Sequence, residues 1–572
     1  MTRAVTKGLI IVCVAIGLVA TSGVAQTKRY RTTFSGHRAS PPAQFVPPNE
    51  PHTDNRPVFQ DPIPGKTLYS VDVPFPPGPV GPTGPQPDVK VAVTGGTIGG
   101  QELEDGTVIF KAVPFARPPV GDLRWRRPEP VTPWQGTRYK TDSAPACLQV
   151  SYGWQADMAA KSSEDCLYLE VRTPSLEAEA RMPVMVFIHG GANRAGGGMG
   201  TVMSALVEKD VVLISIQYRL GVFGFMSHPA LSAETGGASG NYALMDQIAA
   251  LQWVRDNAAK FGGDPDNVTV FGHSAGAQDV GLLMASPLAK DLFQKAIEES
   301  GPPQFGLPAR TLAENEAMGV ELAREFTVDD AAPDGAQALQ TLRRAPAMVL
   351  QTMADKLKVP VDDASFIWLQ AVVDGYVLPR SPRDVFRAGE QAPVPLIIGT
   401  SARELGLYGG QGAVYSTIQR EFGDKRLRVL GFYGLDVKTS TKDDPVLGDT
   451  AMQLSTDLMM RCPSDWTAWH VNAAGQPAWV YQLDIDAGDV PVHHSSELAF
   501  VFNKRPADKR PEQWPPLLDY WAQFAWTGHP NSHGLPVWPS YGHEGYYIEF
   551  TAKGPVAHNA MRLPVCELRD TP

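Results

Sequence analysis

The sequence predicts an α/β protein: a mostly parallel central sheet with helices on both faces. Three observations carry this. Several short runs are apolar at every position rather than at alternate ones, segments with helical spacing lie between them, and one run ends in a glycine-flanked turn that leads directly into a helix. Strands that are apolar throughout are buried on both faces, as in a parallel sheet covered by helices. Strands alternating with helices give the same reading.

The chain begins with a different kind of segment. Arg3 and Lys7 make a basic start, an apolar run follows from Leu9 to Ala20, and Gly23-Val24-Ala25 offers small residues where a signal peptidase reads. Residues 1–25 are therefore expected to be a signal peptide cleaved after Ala25, because the apolar run is short for a membrane span. The competing reading is an uncleaved anchor. Residues 26–90 form a second region: of 51 prolines, 15 fall between Pro41 and Pro87. Such a stretch lacks the backbone donors of a ladder and reads as an extended arm or tether. Gly65-Lys66-Thr67 has the form of a phosphate-loop ending, but Gln60 stands where its first glycine belongs and no strand leads in. Gly95-Gly96 and Gly99-Gly100 read as turns between short strands.

From about Val91 to the end, residues 91–572 read as one catalytic domain. Pro183–Ile188, Val211–Ile216, Val268–Phe271, Pro395–Ile398 and Trp479–Leu483 read as buried strands. Between the second and third, Leu244, Ile248, Leu251 and Val254 repeat at helical spacing, and Gly262-Gly263 stops that helix.

Composition removes several classes of function. With 50 Lys and Arg against 61 Asp and Glu, the formal charge is −11, which gives no electrostatic footprint for nucleic acid or for an anionic membrane. Without the signal segment four cysteines remain, Cys147, Cys166, Cys462 and Cys566, an even number that suggests two disulfides in an exported chain. Three pairings are open. No Cys/His cluster has zinc-ligand spacing, so no metal site is expected.

The chemistry is concentrated at Gly272-His273-Ser274-Ala275-Gly276. This G-x-S-x-G sequence follows the strand Val268–Phe271 and precedes a helix expected over Ala275–Met284. A tight strand-to-helix turn strains the serine backbone, lifts its hydroxyl above the sheet edge and places the next amide at a helix N-terminus. A serine hydroxyl also needs a base and donors for the oxyanion. His189-Gly190-Gly191-Ala192 ends a buried strand ahead of the nucleophile and matches the H-G-G-G type of oxyanion loop. Gly191, Ala192 and Ala275 are the expected amide donors.

With these motifs in place, the chain from about residue 91 resembles the type-B carboxylesterase/cholinesterase family of α/β-hydrolases. The resemblance rests on Pro114–Gly121, Leu123–Pro128, Ser163–Leu169, Gly240-Asn241 with Asp246-Gln247, Phe293–Ile297 with Ser300-Gly301, and Thr527–Asn531, in that order. It implies an α/β-hydrolase fold and a serine carboxylic ester hydrolase working through an acyl-enzyme, without a cofactor. Its acid corresponds to Glu404 after the strand Pro395–Ile398, and its base to His494 in His494-Ser-Ser-Glu-Leu498. The order Ser274, Glu404, His494 agrees with the order of that fold. Ser495 stands where the family usually has glycine, and the adjacent His493 is an alternative base.

The resemblance also implies the pairings Cys147–Cys166 and Cys462–Cys566, the structural ion pairs Arg124–Glu164 and Arg219–Asp246, and a supporting role for Ser300. In the cholinesterase branch a glutamate precedes the nucleophile. Here that residue is His273, and Trp154 is the lone tryptophan between Cys147 and Cys166. The expected substrates are therefore small-molecule esters that are neutral and largely apolar. Two other readings compete: amide or carbamate cleavage on the same residues, and a non-catalytic adhesion protein, a kind of relative that loses the nucleophile. The expected localisation is secreted or periplasmic, with no stable membrane anchor after cleavage.

Overall fold

The computed structural model describes residues 89–570 except 304–306, 327–331, 358–366, 408–409, 437–442 and 489. The expected signal peptide and nearly all of the Pro-rich arm lie outside the described residues.

In chain order the strands are β1 (Val89–Val93), β2 (Gly96–Glu102), β3 (Val108–Pro114), β4 (Thr137–Tyr139), β5 (Tyr168–Thr173), β6 (Met182–Ile188), β7 (Val212–Ile216), β8 (Gly263–His273), β9 (Lys295–Glu299), β10 (Arg310–Thr311), β11 (Val372–Val373), β12 (Leu396–Ser401), β13 (Ala478–Leu483), β14 (Tyr546–Thr551) and β15 (Gly554–Asn559). The main sheet runs β1-β2-β3-β5-β7-β6-β8-β9-β12-β13-β14-β15, with β4 beside β2, while β10 and β11 form a separate pair. From β7 through β14 the neighbours are parallel. Both ends of the path are antiparallel.

The five strands expected from their apolar runs all lie in the parallel part. Alternate residues of each serve different cores, so both faces are buried, and the few polar positions, Ser215, Thr269 and Gln482, are buried with them. Val184, Val186, Val268 and Val270 join one cluster with Leu244, Ile248, Leu251 and Val254 of the helix Tyr242–Asn257. Met185, Phe187, Phe271 and Tyr481 join another with Leu517, Trp521 and Phe524 of the helix Leu517–Thr527. The sheet thus has a helical layer on each face.

Gly99 and Gly100 correct one expectation. They lie inside β2 rather than in a turn. A β-carbon on Gly99 would sit 2.4 Å from the Tyr139 ring, and one on Gly100 would sit 2.6 Å from the Phe110 ring. Aromatic rings of neighbouring strands occupy that space, so these glycines mark close packing rather than chain reversal.

The implied pairs are present. Arg124 donates to both carboxylate oxygens of Glu164 at 2.8 and 2.6 Å, and Arg219 to both of Asp246 at 2.8 Å each. Cys147 is bonded to Cys166 and Cys462 to Cys566.

Order along the sheet reverses around β6. The chain passes from β6 to β7 on one side, and later elements add β8, β9, β12, β13 and β14 on the other. A crevice at the carboxyl ends of strands beside such a reversal is where open α/β sheets bind ligands. The segments carrying His189, Ser274, Glu404 and His494 follow β6, β8, β12 and β13.

Candidate active site

Ser274 occupies the turn between β8 and the helix Ala275–Ala285, with φ 57° and ψ −125°. Side chains avoid this backbone region, and the surroundings hold it there. Its amide donates to the Glu299 carbonyl at 2.8 Å. A β-carbon on Gly276 would lie 2.0 Å from the Ile188 carbonyl oxygen, so the helix starts hard against the end of β6. Only glycine permits that approach.

Ser274 Oγ lies 2.9 Å from Nε2 of His494, and Nδ1 of His494 lies 2.5 Å from Oε2 of Glu404. The carboxylate accepts from Nδ1–H, which leaves Nε2 free to accept from the serine hydroxyl. All three side chains are buried. The Ser401 amide donates to the other Glu404 oxygen at 2.7 Å. The neighbouring His493 is held elsewhere: its Nδ1 is 3.0 Å from Ser496 Oγ and 3.3 Å from Asp486. Ser495, between Ser496 and His494, has φ 82° and ψ 2°. That left-handed conformation is the physical reason a glycine suits this position.

The segment that holds Glu404 extends beyond the sequence motif. The Glu404 amide donates to Thr456 Oγ1 at 3.1 Å, and Arg461 donates to the Ala402 carbonyl at 3.0 Å. Thr456 ends one helix, and Asp457–Arg461 forms a π-turn before the next. Such turns are over-represented at functional sites. Asp457 accepts from Arg461, Tyr433 and Arg562, and Cys462 follows at once with its disulfide to Cys566. Apart from the disulfide, which the family resemblance implied, these contacts were not read from the sequence; Thr456–Glu404 and Arg562–Asp457 join residues 52 and 105 apart.

The loop after β6 stands beside the serine. A β-carbon on Gly190 would lie 2.9 Å from Cβ of Ser274. Gly191 has φ 119°, and its carbonyl accepts from the amides of Arg194 and Ala195. Ala192 and Ala275 belong to one small apolar cluster with Leu369, Leu405, Met459 and Met460. The three expected donors are thus on segments flanking Ser274, and four apolar side chains from later elements line the space against two of them.

A cavity of about 410 Å³ adjoins the other flank, bordered by Trp154, Met158, Phe187, His189, His273 and Leu498 among others. Burial pushes the His189 imidazole down to about 4. Burial, and then the neighbouring His494 and His493, push His273 well below its ordinary value. Both rings are therefore neutral at pH 7. Glu497 is buried behind them, accepting from Ser300 and, at 3.2 Å, from Ser401. Burial, then repulsion by Glu404, pushes its carboxyl up to about 7.

The sheet order, the strand-to-helix serine turn and the strand-end site together define an α/β-hydrolase fold. Comparison with known proteins narrows the class. The carboxylesterase family profile matches residues 86–568, and the chain belongs to that family. It is 35% identical to fumonisin B1 esterase of Sphingopyxis macrogoltabida over 70% of this chain and 72% of that one. It is 32% identical to liver carboxylesterase 1 of Oryctolagus cuniculus over 78% and 85%. Among solved structures, a Geobacillus stearothermophilus carboxylesterase superposes with a TM-score of 0.69 at 29% identity, covering 84% of this chain and all of the other. The protein is a carboxylic ester hydrolase.

Proposed function

We propose that Ser274 is the nucleophile, His494 the general base and Glu404 the acid that orients it. The hydrogen-bond chain from Ser274 Oγ through His494 to Glu404 carries this reading. As the hydroxyl attacks the ester carbonyl, His494 takes its proton and Glu404 stabilises the imidazolium. The amides of Gly191, Ala192 and Ala275 receive the developing oxyanion. His494 then protonates the leaving alcohol, and a water activated by the same imidazole releases the acid. Ser274→Ala should lower turnover by about 10⁴-fold or more while the fold persists. It should also abolish labelling by an organophosphate. Wild-type turnover by the purified variant would remove the assignment.

We further propose that the substrates are neutral, largely apolar esters. Leu369, Leu405, Met459 and Met460 against the oxyanion segments support this, as does His273, a neutral imidazole, before the nucleophile. Fixed negative charge beside the serine would favour a cation, and a correctly placed aromatic face adds about 0.5–2 kcal/mol. Comparing kcat/KM for a choline ester and its carbon isostere tests this. A preference for the cation of about 100-fold, near 2.7 kcal/mol, would overturn it.

The proposed organisation is a signal peptide over 1–25, a Pro-rich arm over 26–90 and the catalytic domain over 91–572, in a secreted or periplasmic protein. The basic and apolar start, together with two disulfides, supports export. No helix among the described residues is long and apolar enough to cross a membrane. N-terminal sequencing of the exported protein should begin at Gln26.

A further inference from the structure

The oxyanion loop contains two consecutive non-glycine residues in the left-handed region, Ala192 at φ 53° and Asn193 at φ 57°. Both are buried. Strain of this kind persists only where the surroundings over-determine it. Asn193 is tied at both ends: its carbonyl accepts from the Gly221 amide at 2.7 Å, and its side-chain Nδ2 donates to Oδ1 of Asp279 at 3.2 Å. The same Nδ2 is 3.4 Å from the Trp368 carbonyl, and Tyr218 Oη is 3.4 Å from Asn193 Oδ1.

Asp279 lies on the helix that starts just after Ser274 and is fully buried. Its second oxygen accepts from Gln247 Nε2 at 2.5 Å. A carboxyl in such a place is expensive unless it is paired, and here its partners are two amides rather than a cation. The arrangement makes a rigid link between the loop carrying two expected oxyanion donors and the helix carrying the third.

We propose that Asn193 and Asp279 are positioning residues for the oxyanion hole. The inference rests on the catalytic reading given above. Neither side chain touches substrate. Their pairing fixes the Gly191 and Ala192 amides relative to Ser274 and Ala275, so it acts where charge develops rather than where substrate binds.

The test uses the full-length enzyme, a p-nitrophenyl ester and a trifluoromethyl ketone, which places an oxyanion in the hole once serine adds to it. Asn193→Asp, which sets two carboxyl groups against each other, should lower kcat by about 10²-fold with KM within threefold. Its affinity for the ketone should fall by a similar factor. Combining it with Asp279→Asn exchanges donor and acceptor while still allowing Gln247 to donate. This swapped pair should recover at least tenfold in kcat and in ketone affinity. If Asn193→Asp does not fold, the swapped pair decides alone: turnover within about tenfold of wild type supports the link. A folded swapped pair still about 10²-fold down, or wild-type kcat in Asn193→Asp, overturns it. Ser274→Ala, run in parallel, separates this failure from failure of the catalytic reading, because only the latter leaves that variant active.

Discussion

At the scale of single residues, the histidine pair gives the sharpest expectation. His494 bridges Ser274 and Glu404, whereas His493 is committed to Asp486 and Ser496. His494→Ala should cost about 10⁴-fold in kcat, and His493→Ala less than about tenfold. Steady-state kinetics of the two purified variants checks this, and a reversed order would move the base by one position. The backbone between them supplies a second case. Ser495→Gly relieves a left-handed side chain, worth about 1–2 kcal/mol. It also returns about 0.5–1 kcal/mol of freedom to the unfolded chain. The net expectation is a small gain in melting temperature with turnover within twofold, whereas Ser495→Val should lose both stability and turnover. Ser274 stood out in a short motif after a recognisable strand, and the family resemblance pointed to Glu404 and His494, which the fold brings into one hydrogen-bond chain with it. Asn193, Asp279 and Thr456 were not legible, since each matters through a contact far along the chain.

At the scale of elements, the two disulfides should behave differently. Closing a span of 19 residues is worth roughly 3 kcal/mol against the unfolded chain, and one of 104 about 5 kcal/mol. Their locations differ as well. Cys147–Cys166 closes the loop that carries Trp154 and Met158 at the cavity. Cys462–Cys566 follows the π-turn whose neighbours hold Ala402 and Glu404. Replacing Cys147 and Cys166 by Ser should therefore change KM more than kcat. The same change at Cys462 and Cys566 should lower kcat more than KM. Paired Michaelis and melting measurements distinguish these outcomes. Five of the parallel strands were legible because burial on both faces makes them largely apolar; β9 and β14 were missed, because β9 carries Lys295, Glu298 and Glu299 and β14 is only half-buried. β4 and β15 were missed too, because their residues are largely exposed, and β1 is a short strand whose exposed and buried positions alternate. The π-turn has no sequence signature, since it is a local rewinding imposed by what it touches.

At the scale of the whole molecule, buried carboxyls set the response to pH. Burial lifts Asp279 from 3.8 to about 7, and burial with repulsion from Glu404 lifts Glu497 from 4.5 to about 7. Burial raises Glu298 and Glu299 well above their ordinary value. A carboxyl whose pKa is higher in the folded chain holds more protons there, so stability falls as pH rises between the two values. For Asp279 and Glu497 the window runs from about pH 4 to about pH 7, and stability is lost through it as each buried carboxyl is made to ionise. Glu497→Gln keeps an acceptor for Ser300 and should flatten the fall in melting temperature between about pH 5 and pH 7. An unchanged slope would show that Glu497 titrates normally. The overall charge of −11 gave no warning of these groups, because burial is a property of the fold and not of composition.

The strand-end origin of the site also has a consequence for timing. Ser274 and His494 are 220 residues apart in the chain, and they meet only because β8 and β13 lie in one finished sheet. A nascent or translocating polypeptide exposes its serine long before the imidazole exists beside it. Unfolded, that hydroxyl is an ordinary alcohol with no base and no oxyanion donors. A chain handed across a membrane in extended form is therefore harmless to the esters of the cell that makes it. Hydrolysis by the proposed residues has to wait for the sheet that brings the ends of β8 and β13 together.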